Sequence, residues 1–298
     1  MTGLLRFVTA DVFTDRAFAG NPLAVVLDGR GLTPAHMQTI AREFNFSETT
    51  FVLPADNPVH TFRVRIFTPG TELPFAGHPT IGTAWVLSHL GRLPPSGVVF
   101  EEGVGPVPID VTAKDGKPSY VSFTTAIVPQ VGPPPPGATE LAAMLQLAPA
   151  DVRGEAHPMT LSCGTPYTCV PLGSVAAVDR ARLDLEKWGS SVGSTNAHKV
   201  FVFTRTSATT LHARMFAPAE GVVEDPATGS AACAMAGWLV RDENLTHGTG
   251  RWTIHQGVAL ARPSLISIEA DVTDGKITAV RCGGTAVIIS EGELRRPD

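Results

Sequence analysis

In GVVEDPATGSAACAM, residues 221–235, two acids and a proline stand directly in front of a Thr-Gly-Ser turn and an alanine-rich run. A carboxylate there can cap a helix. It can also face a ligand held at the helix N-terminus, where unpaired backbone N–H groups carry about half a positive charge. Asp225 precedes Pro226, which biases its backbone toward an extended conformation and its side chain away from the helix. A second turn of much the same shape, RIFTPGTELPFAGHPTIGTAW, lies in the first half of the chain and adds His78 to Glu224 and Asp225 as titratable neighbours. Both turns carry a glycine, Gly77 or Gly229, with small hydroxyl residues beside it and no bulky side chain. Two such N-termini facing one cleft would bind a ligand bearing a carboxylate. Glu48, in FNFSETTF, is flanked by Phe44, Phe46 and Phe51. Apolar surroundings of that kind can raise a carboxyl pKa toward neutrality, where a general acid or base works best. Singly, each residue has a plainer reading: a solvated loop glutamate, a packed histidine, a capping aspartate. The symmetric pairing of the turns beside titratable groups is what favours binding and proton transfer.

The elements that must position these residues repeat. Gly20-Asn21-Pro22 precedes the strand-like LAVVL, and Gly164-Thr165-Pro166 precedes YTCVPL. SETTFVL (47–53) matches AHKVFVF (197–203), and Arg65, Phe67 and Pro69 match Arg214, Phe216 and Pro218 at nearly the same offset. The order and spacing predict two homologous halves. In the first half, strands are expected at RFVTADVF, LAVVL, TTFVL and HTFRVRIF. A helix is expected over LTPAHMQTIAREFNF, with Thr33 as cap, Pro34 at the first helical position, and Met37, Ile40, Ala41 and Phe44 on one stripe. The second half predicts helices near 139–147 and 180–189. The segments from Thr80 and from Ser230 are apolar on nearly every face, so each is expected to be a buried central helix wrapped by a sheet. VPQVGPPPPGATE breaks the chain near its middle, because four consecutive prolines continue neither helix nor strand.

Composition bounds the rest. The chain has 298 residues, 43% of them hydrophobic and 17% charged, enough for a sizeable core. Its net charge of −5, with scattered lysines and arginines, gives no basic stripe for nucleic acid or anionic lipid. No apolar run suits a membrane span and no signal-peptide pattern opens the chain, so a cytoplasmic protein is expected. Cys163, Cys169, Cys233 and Cys282 show no metal or disulfide spacing and read as small buried hydrophobes. With no HExxH and no helical histidine pair, no metal site is expected.

Taken together, GNPLAVVL, MQTIAREFNFSETTFVL, RIFTPGTELPFAGHPTIGTA, RMFAPAEGVVEDPATGSAACAMAGWL and QGVALARPSLISIE resemble the phenazine-biosynthesis PhzF-like isomerase family, over essentially the whole chain. The resemblance implies an α+β protein of the diaminopimelate epimerase-like fold. It implies two pseudo-symmetric halves, each a curved sheet around a central buried helix, with an active site in the cleft between them. The corresponding segments are 1–127, joined by a C-terminal strand at about 284–298, a Pro-rich linker at 128–137, and 138–283. It further implies a homodimer needing no metal or cofactor, acting on a small carboxylate-bearing molecule. Carried over position by position, the catalytic residues are Glu48, the proton shuttle, with His78 and Asp225. Gly77, Gly229, Ser230, Asn21 and Thr228 are the substrate-binding positions. One departure bears on the reaction. Epimerases of this fold carry a cysteine in each turn, whereas the matching positions here are Ala76 and Pro226. A single dominant carboxylate base points to moving a proton between carbons rather than inverting a stereocentre. An epimerase using carboxylate bases and a non-catalytic ligand-binding protein are the alternatives.

Overall fold

The computed structural model describes residues 3–153 and 157–297. Met1, Thr2, Gly154, Glu155, Ala156 and Asp298, which belong to the expected segments 1–127, 138–283 and 284–298, lie outside the described residues. The chain forms two compact units, Met1–Ala126 with Cys282–Asp298, and Ile127–Arg281.

In the first unit, β1 (Leu4–Val12) pairs antiparallel with β2 (Asn21–Val26) on one side and with the C-terminal strand, Ala286–Arg295, on the other. Helix α1 (Pro34–Phe44) leads to β3 (Glu48–Leu53), which lies parallel to β2 with Leu23 opposite Glu48. Its sequence signals hold: the Thr33 hydroxyl accepts from the His36 amide, Pro34 occupies the first turn, and Met37, Ile40 and Ala41 are buried. Then come β4 (Phe62–Phe67), the short β5 (Glu72–Leu73), α2 (Gly77–His89), β6 (Val98–Glu102), β7 (Gly105–Lys114) and β8 (Lys117–Thr124). Every residue of α2 from Gly77 to Leu87 is buried, and the helix touches β1, β2, β3, β7, β8 and the C-terminal strand. The sheet therefore wraps one helix, which is why the TIGTAWVL stretch has no polar face.

The second unit follows the same plan. It begins with β9 (Gln130–Val131), α3 (Ala138–Met144), β10 (Met159–Ser162) and β11 (Pro166–Pro171). Next are α4 (Val175–Arg180), α5 (Leu185–Ser191), β12 (Lys199–Arg205), β13 (Thr210–Ala217) and β14 (Val222–Asp225). It closes with α6 (Gly229–Asp242), β15 (Gly248–Gln256), β16 (Ser264–Thr273) and β17 (Lys276–Gly284). Again β11 and β12 are parallel and a helix, α6, is buried, here from Gly229 to Ala236 and against β9, β10, β11 and β16. The repeat extends to side chains. Arg65 makes a forked pair with Glu72 on β5 and lies 5.2 Å from the centre of the Phe67 ring. Arg214 does the same with Glu224 on β14, 5.1 Å from Phe216.

Two details depart from the sequence reading. The helix expected at 180–189 is two helices. Ser174 caps α4 and Asp184 caps α5, and the last turn of α4 with Ala181 after it presents the Val178, Asp179 and Ala181 carbonyls to Arg214. The Pro-rich stretch is not wholly a connector, because Gln130 and Val131 pair with Ser162 and Leu161, and the Gly132 amide donates to Thr160. Only the prolines themselves run without ladder bonds, as residues lacking an N–H must. All four cysteines are buried and none is in a disulfide. Among the described residues no helix is long and apolar enough to cross a membrane.

Candidate active site

In the first unit three segments converge on His78. Gly20 has φ +67°, and a Cβ there would come within 2.3 Å of the Val12 carbonyl, so only glycine lets the chain turn tightly into Asn21. Asn21 opens β2 and Glu48 opens β3, and because the strands are parallel both lie at the same end. Helix α2 begins there too, so His78, its second residue, reaches both. Its Nδ1 lies 3.2 Å from Asn21 Nδ2 and 3.3 Å from Glu48 Oε2. Asn21 is fully buried, His78 nearly so, and the Glu48 side chain keeps 13% exposure.

The approach of His78 to Glu48 has the distance of an ion pair but not its charge. Burial pulls the imidazole pKa down to about 3, against a weaker opposing hydrogen bond to the Pro22 backbone, so the ring is neutral near pH 7. A neutral imidazole can donate or accept at either nitrogen. The Asn21 amide nitrogen can only donate, so Nδ1 accepts from it and the proton of the neutral ring sits on Nε2. Glu48 Oε2 approaches Nδ1 without forming a hydrogen bond to it, and Nε2 has no hydrogen-bond partner among the described residues.

The second unit contains a matching turn with different chemistry. Asp225 ends β14 and is 6% exposed. It does not cap α6. Its Oδ2 accepts from the Thr228 hydroxyl at 2.6 Å, and neither α2 nor α6 has a side-chain cap. Gln256, fully buried at the end of β15, ties this turn together. It accepts from the Thr228 amide at 3.2 Å and donates to the Asp225 carbonyl at 2.8 Å and to Thr228 Oγ1 at 3.0 Å. Gly257, at φ +75°, lets this strand end lie against Pro226, whose carbonyl a Cβ would approach to 2.6 Å. Ser230, the second residue of α6, shares a 2.6 Å hydrogen bond with the Tyr167 hydroxyl. Glu224 is not part of this network, since both of its oxygens are taken by Arg214.

The structure thus brings Asn21, Glu48 and His78 together in one unit, beside Gly77. In the other it joins Asp225 to Thr228, at the N-terminus that Gly229 and Ser230 begin. Gln256 and Tyr167 were not among the sequence-derived candidates. Gln256 had a signal: it follows Trp252 and Ile254 on the buried face of β15, where an amide is out of place. Tyr167 had none.

A sheet curled around one buried helix, built twice, is the diaminopimelate epimerase-like fold, and proteins of this architecture include isomerases. A hydroxyproline epimerase from Agrobacterium vitis shares it at a TM-score of 0.69 and 14% identity, covering 100% of this chain and 95% of that one. Residues 10–292 match the PhzC-PhzF family model, described as phenazine biosynthesis-like protein. The chain is 42% identical over 298 residues to an uncharacterized isomerase of Mesorhizobium japonicum, covering 97% of this chain and 98% of that protein. It is 34% identical over 296 residues to the trans-2,3-dihydro-3-hydroxyanthranilate isomerase of Pseudomonas aeruginosa, covering 96% and 98%. The Bacillus anthracis phenazine biosynthesis protein of the PhzF family superposes with a TM-score of 0.88 at 26% identity, over 98% of this chain and 99% of that one. The protein belongs to the PhzC-PhzF family and is an isomerase.

Proposed function

We propose that the protein is a cofactor-independent isomerase that moves a proton between carbons of a small, carboxylate-bearing, amino-acid-like substrate, in the manner of trans-2,3-dihydro-3-hydroxyanthranilate isomerisation. One observation carries the reading: the Glu48 carboxylate lies 3.3 Å from a buried imidazole that is neutral at physiological pH. Glu48 takes the proton, the electrons of the broken C–H bond move into an adjacent π system, and the same carboxyl returns a proton to a different carbon. The neutral His78 ring beside Glu48 adds no charge to either state of the carboxyl, so no charge has to enter or leave the buried ring. Asn21 orients that ring. Asp225, Thr228 and Ser230 hold polar groups of the substrate, and the amides at Gly77 and Gly229 favour its negative charge. The similarity to the Pseudomonas aeruginosa enzyme supports the reaction type, and a homodimer belongs to the same reading.

The test is proton NMR in D2O with trans-2,3-dihydro-3-hydroxyanthranilate. Deuterium should enter at a new carbon, and Glu48→Gln should slow turnover by about 10²–10⁴-fold, the usual worth of a general acid–base group. Full activity in Glu48→Gln would sink the assignment. Deuterium at the original carbon with inversion would make the protein an epimerase, and a bound but unchanged compound would move the search to other carboxylated substrates.

A further inference from the structure

The β6 sequence Val-Val-Phe-Glu-Glu buries Val98, Phe100 and Glu102 on one face, leaving a carboxyl among core side chains. A buried carboxyl needs a hydrogen-bond partner, and Glu102 has one on α2. Its Oε1 lies 2.7 Å from Thr80 Oγ1, and the same hydroxyl lies 2.8 Å from the carbonyl of Ala76, the residue that begins the helix. The turn after β6 grips the same segment through its backbone. The Val104 amide donates to the Pro74 carbonyl at 3.1 Å, and a Cβ on Gly103 would come within 2.6 Å of Pro74 Cα. Residues 102–104 therefore clamp residues 74–80 at both ends, and Gly77 and His78 lie in the middle.

A threonine hydroxyl has one proton to give. Here it sits within hydrogen-bond distance of two oxygens, so both bonds form only if Glu102 is protonated and donates to Thr80, leaving the threonine proton for Ala76. We propose that Glu102 is a positioning residue for the isomerase site: as a neutral acid acting through Thr80 it fixes the first turn of α2, which carries Gly77 and His78, and its ionisation loosens that turn. The inference rests on the site reading above. Burial supports it by raising the Glu102 pKa to about 8, with the Thr80 hydrogen bond acting in the other direction. The charged groups on the neighbouring elements are engaged with one another. Glu101 is 2.8 Å from His60, Arg63 is 2.9 Å from Asp56, and Arg65 is forked with Glu72. His78, on α2 itself, is neutral. Burial rather than a nearby charge thus governs whether Glu102 ionises.

Hydrogen exchange of the full-length protein, read by mass spectrometry on peptides spanning residues 74–83, tests the clamp from about pH 6 to about pH 9.5 after correction for intrinsic rates. Wild-type protection should fall by about tenfold between roughly pH 7 and pH 9. Glu102→Gln, whose amide N–H donates to Thr80 as the acid does, should stay protected throughout, and Thr80→Val should be weakened at every pH. Wild-type protection that stays flat, or a Gln variant that loses protection along with it, would overturn the proposal. With trans-2,3-dihydro-3-hydroxyanthranilate, kcat should decline near pH 8 in wild type and not in Glu102→Gln, with KM unchanged. A decline that persists in Glu102→Gln would also overturn it. If exchange behaves as expected but no variant turns the compound over, the proposed substrate falls and the clamp stands.

Discussion

Arg214 and Arg65 occupy equivalent places in the repeat, yet their removal should differ severalfold in cost. Arg214 and Glu224 are 4% and 10% exposed, whereas Arg65 and Glu72 are 17% and 41% exposed. Two charges about 4 Å apart attract by ~4 kcal/mol at an effective dielectric constant near 20. Arg214 also donates from Nη1 to the carbonyls of Val178 (3.1 Å), Asp179 (3.1 Å) and Ala181 (2.7 Å). Arg214→Met keeps the apolar stem against Phe216 but strands Glu224, so it should cost about 3–5 kcal/mol. Arg65→Met leaves Glu72 reaching solvent and should cost ~0–1 kcal/mol. The double variant Arg214→Met/Glu224→Met removes the stranded charge and should recover most of the loss. Recovery should stop about 1 kcal/mol short, because each of the three carbonyls loses one donor, although Asp179 and Ala181 keep Arg182 and Val178 keeps the Ala181 amide. Urea unfolding followed by tryptophan fluorescence reads this well, since Trp188, Trp238 and Trp252 all lie in the second unit. Equal losses for Arg214→Met and Arg65→Met would refute the argument from burial, and a fully restored double variant would refute the role given to the carbonyls.

Further predictions concern pH and the second turn. The folded pKa of His78 lies below its usual 6.5, at about 3, so the unfolded chain binds the extra proton; stability should rise with pH across that window, by up to ~1.4 kcal/mol per unit. The pKa of Glu102 is displaced the other way, from 4.5 up to about 8, so the folded chain holds the proton and stability should fall as pH rises through that range. The two slopes oppose each other between 4.5 and 6.5, giving a plateau with an acid limb that His78→Asn removes and an alkaline limb that Glu102→Gln removes. Urea midpoints measured across pH test this, and limbs unchanged in both variants would contradict it. Gly257→Ala puts a methyl 2.3 Å from the Arg262 carbonyl at a φ of +75°, and should destabilise the second unit by about 2–3 kcal/mol in the same unfolding assay. Gln256→Leu removes the Asp225–Thr228 brace and should destabilise by about 1–3 kcal/mol, because the buried Thr228 amide and Asp225 carbonyl lose this partner, and should raise KM for the carboxylated substrate about tenfold or more; an unchanged KM would remove Gln256 from the site.

What the sequence made legible follows from what repeats. Hydrophobic periodicity located α1, the strands around it and the two buried helices, because burial of one face or of every face leaves a pattern in residue type. The Arg-Phe pairs at 65 and 67 and at 214 and 216 were visible as a repeat, although the acids that complete them, Glu72 and Glu224, sit at different spacings and emerge only in the fold. Gln256 and Glu102 escaped notice because each is a single polar residue in an apolar alternation, and its meaning depends on a partner far away in sequence. The proposed chemistry falls where the repeat breaks. Position 48 is glutamate while its counterpart in the strand register, position 199, is lysine, paired with Glu220 at 3.0 Å. The second residue of α2 is His78 while that of α6 is Ser230. A duplicated scaffold with a carboxylate–imidazole pair at the N-terminus of α2 and none at that of α6 fits a reaction with one acid/base centre, used twice on two carbons. Restoring the symmetry with Lys199→Glu places a carboxylate beside Glu220, and in D2O this variant should show no deuterium at a second stereocentre and no inversion. Inversion would mean that base placement alone, rather than the whole turn, decides between isomerase and epimerase on this fold.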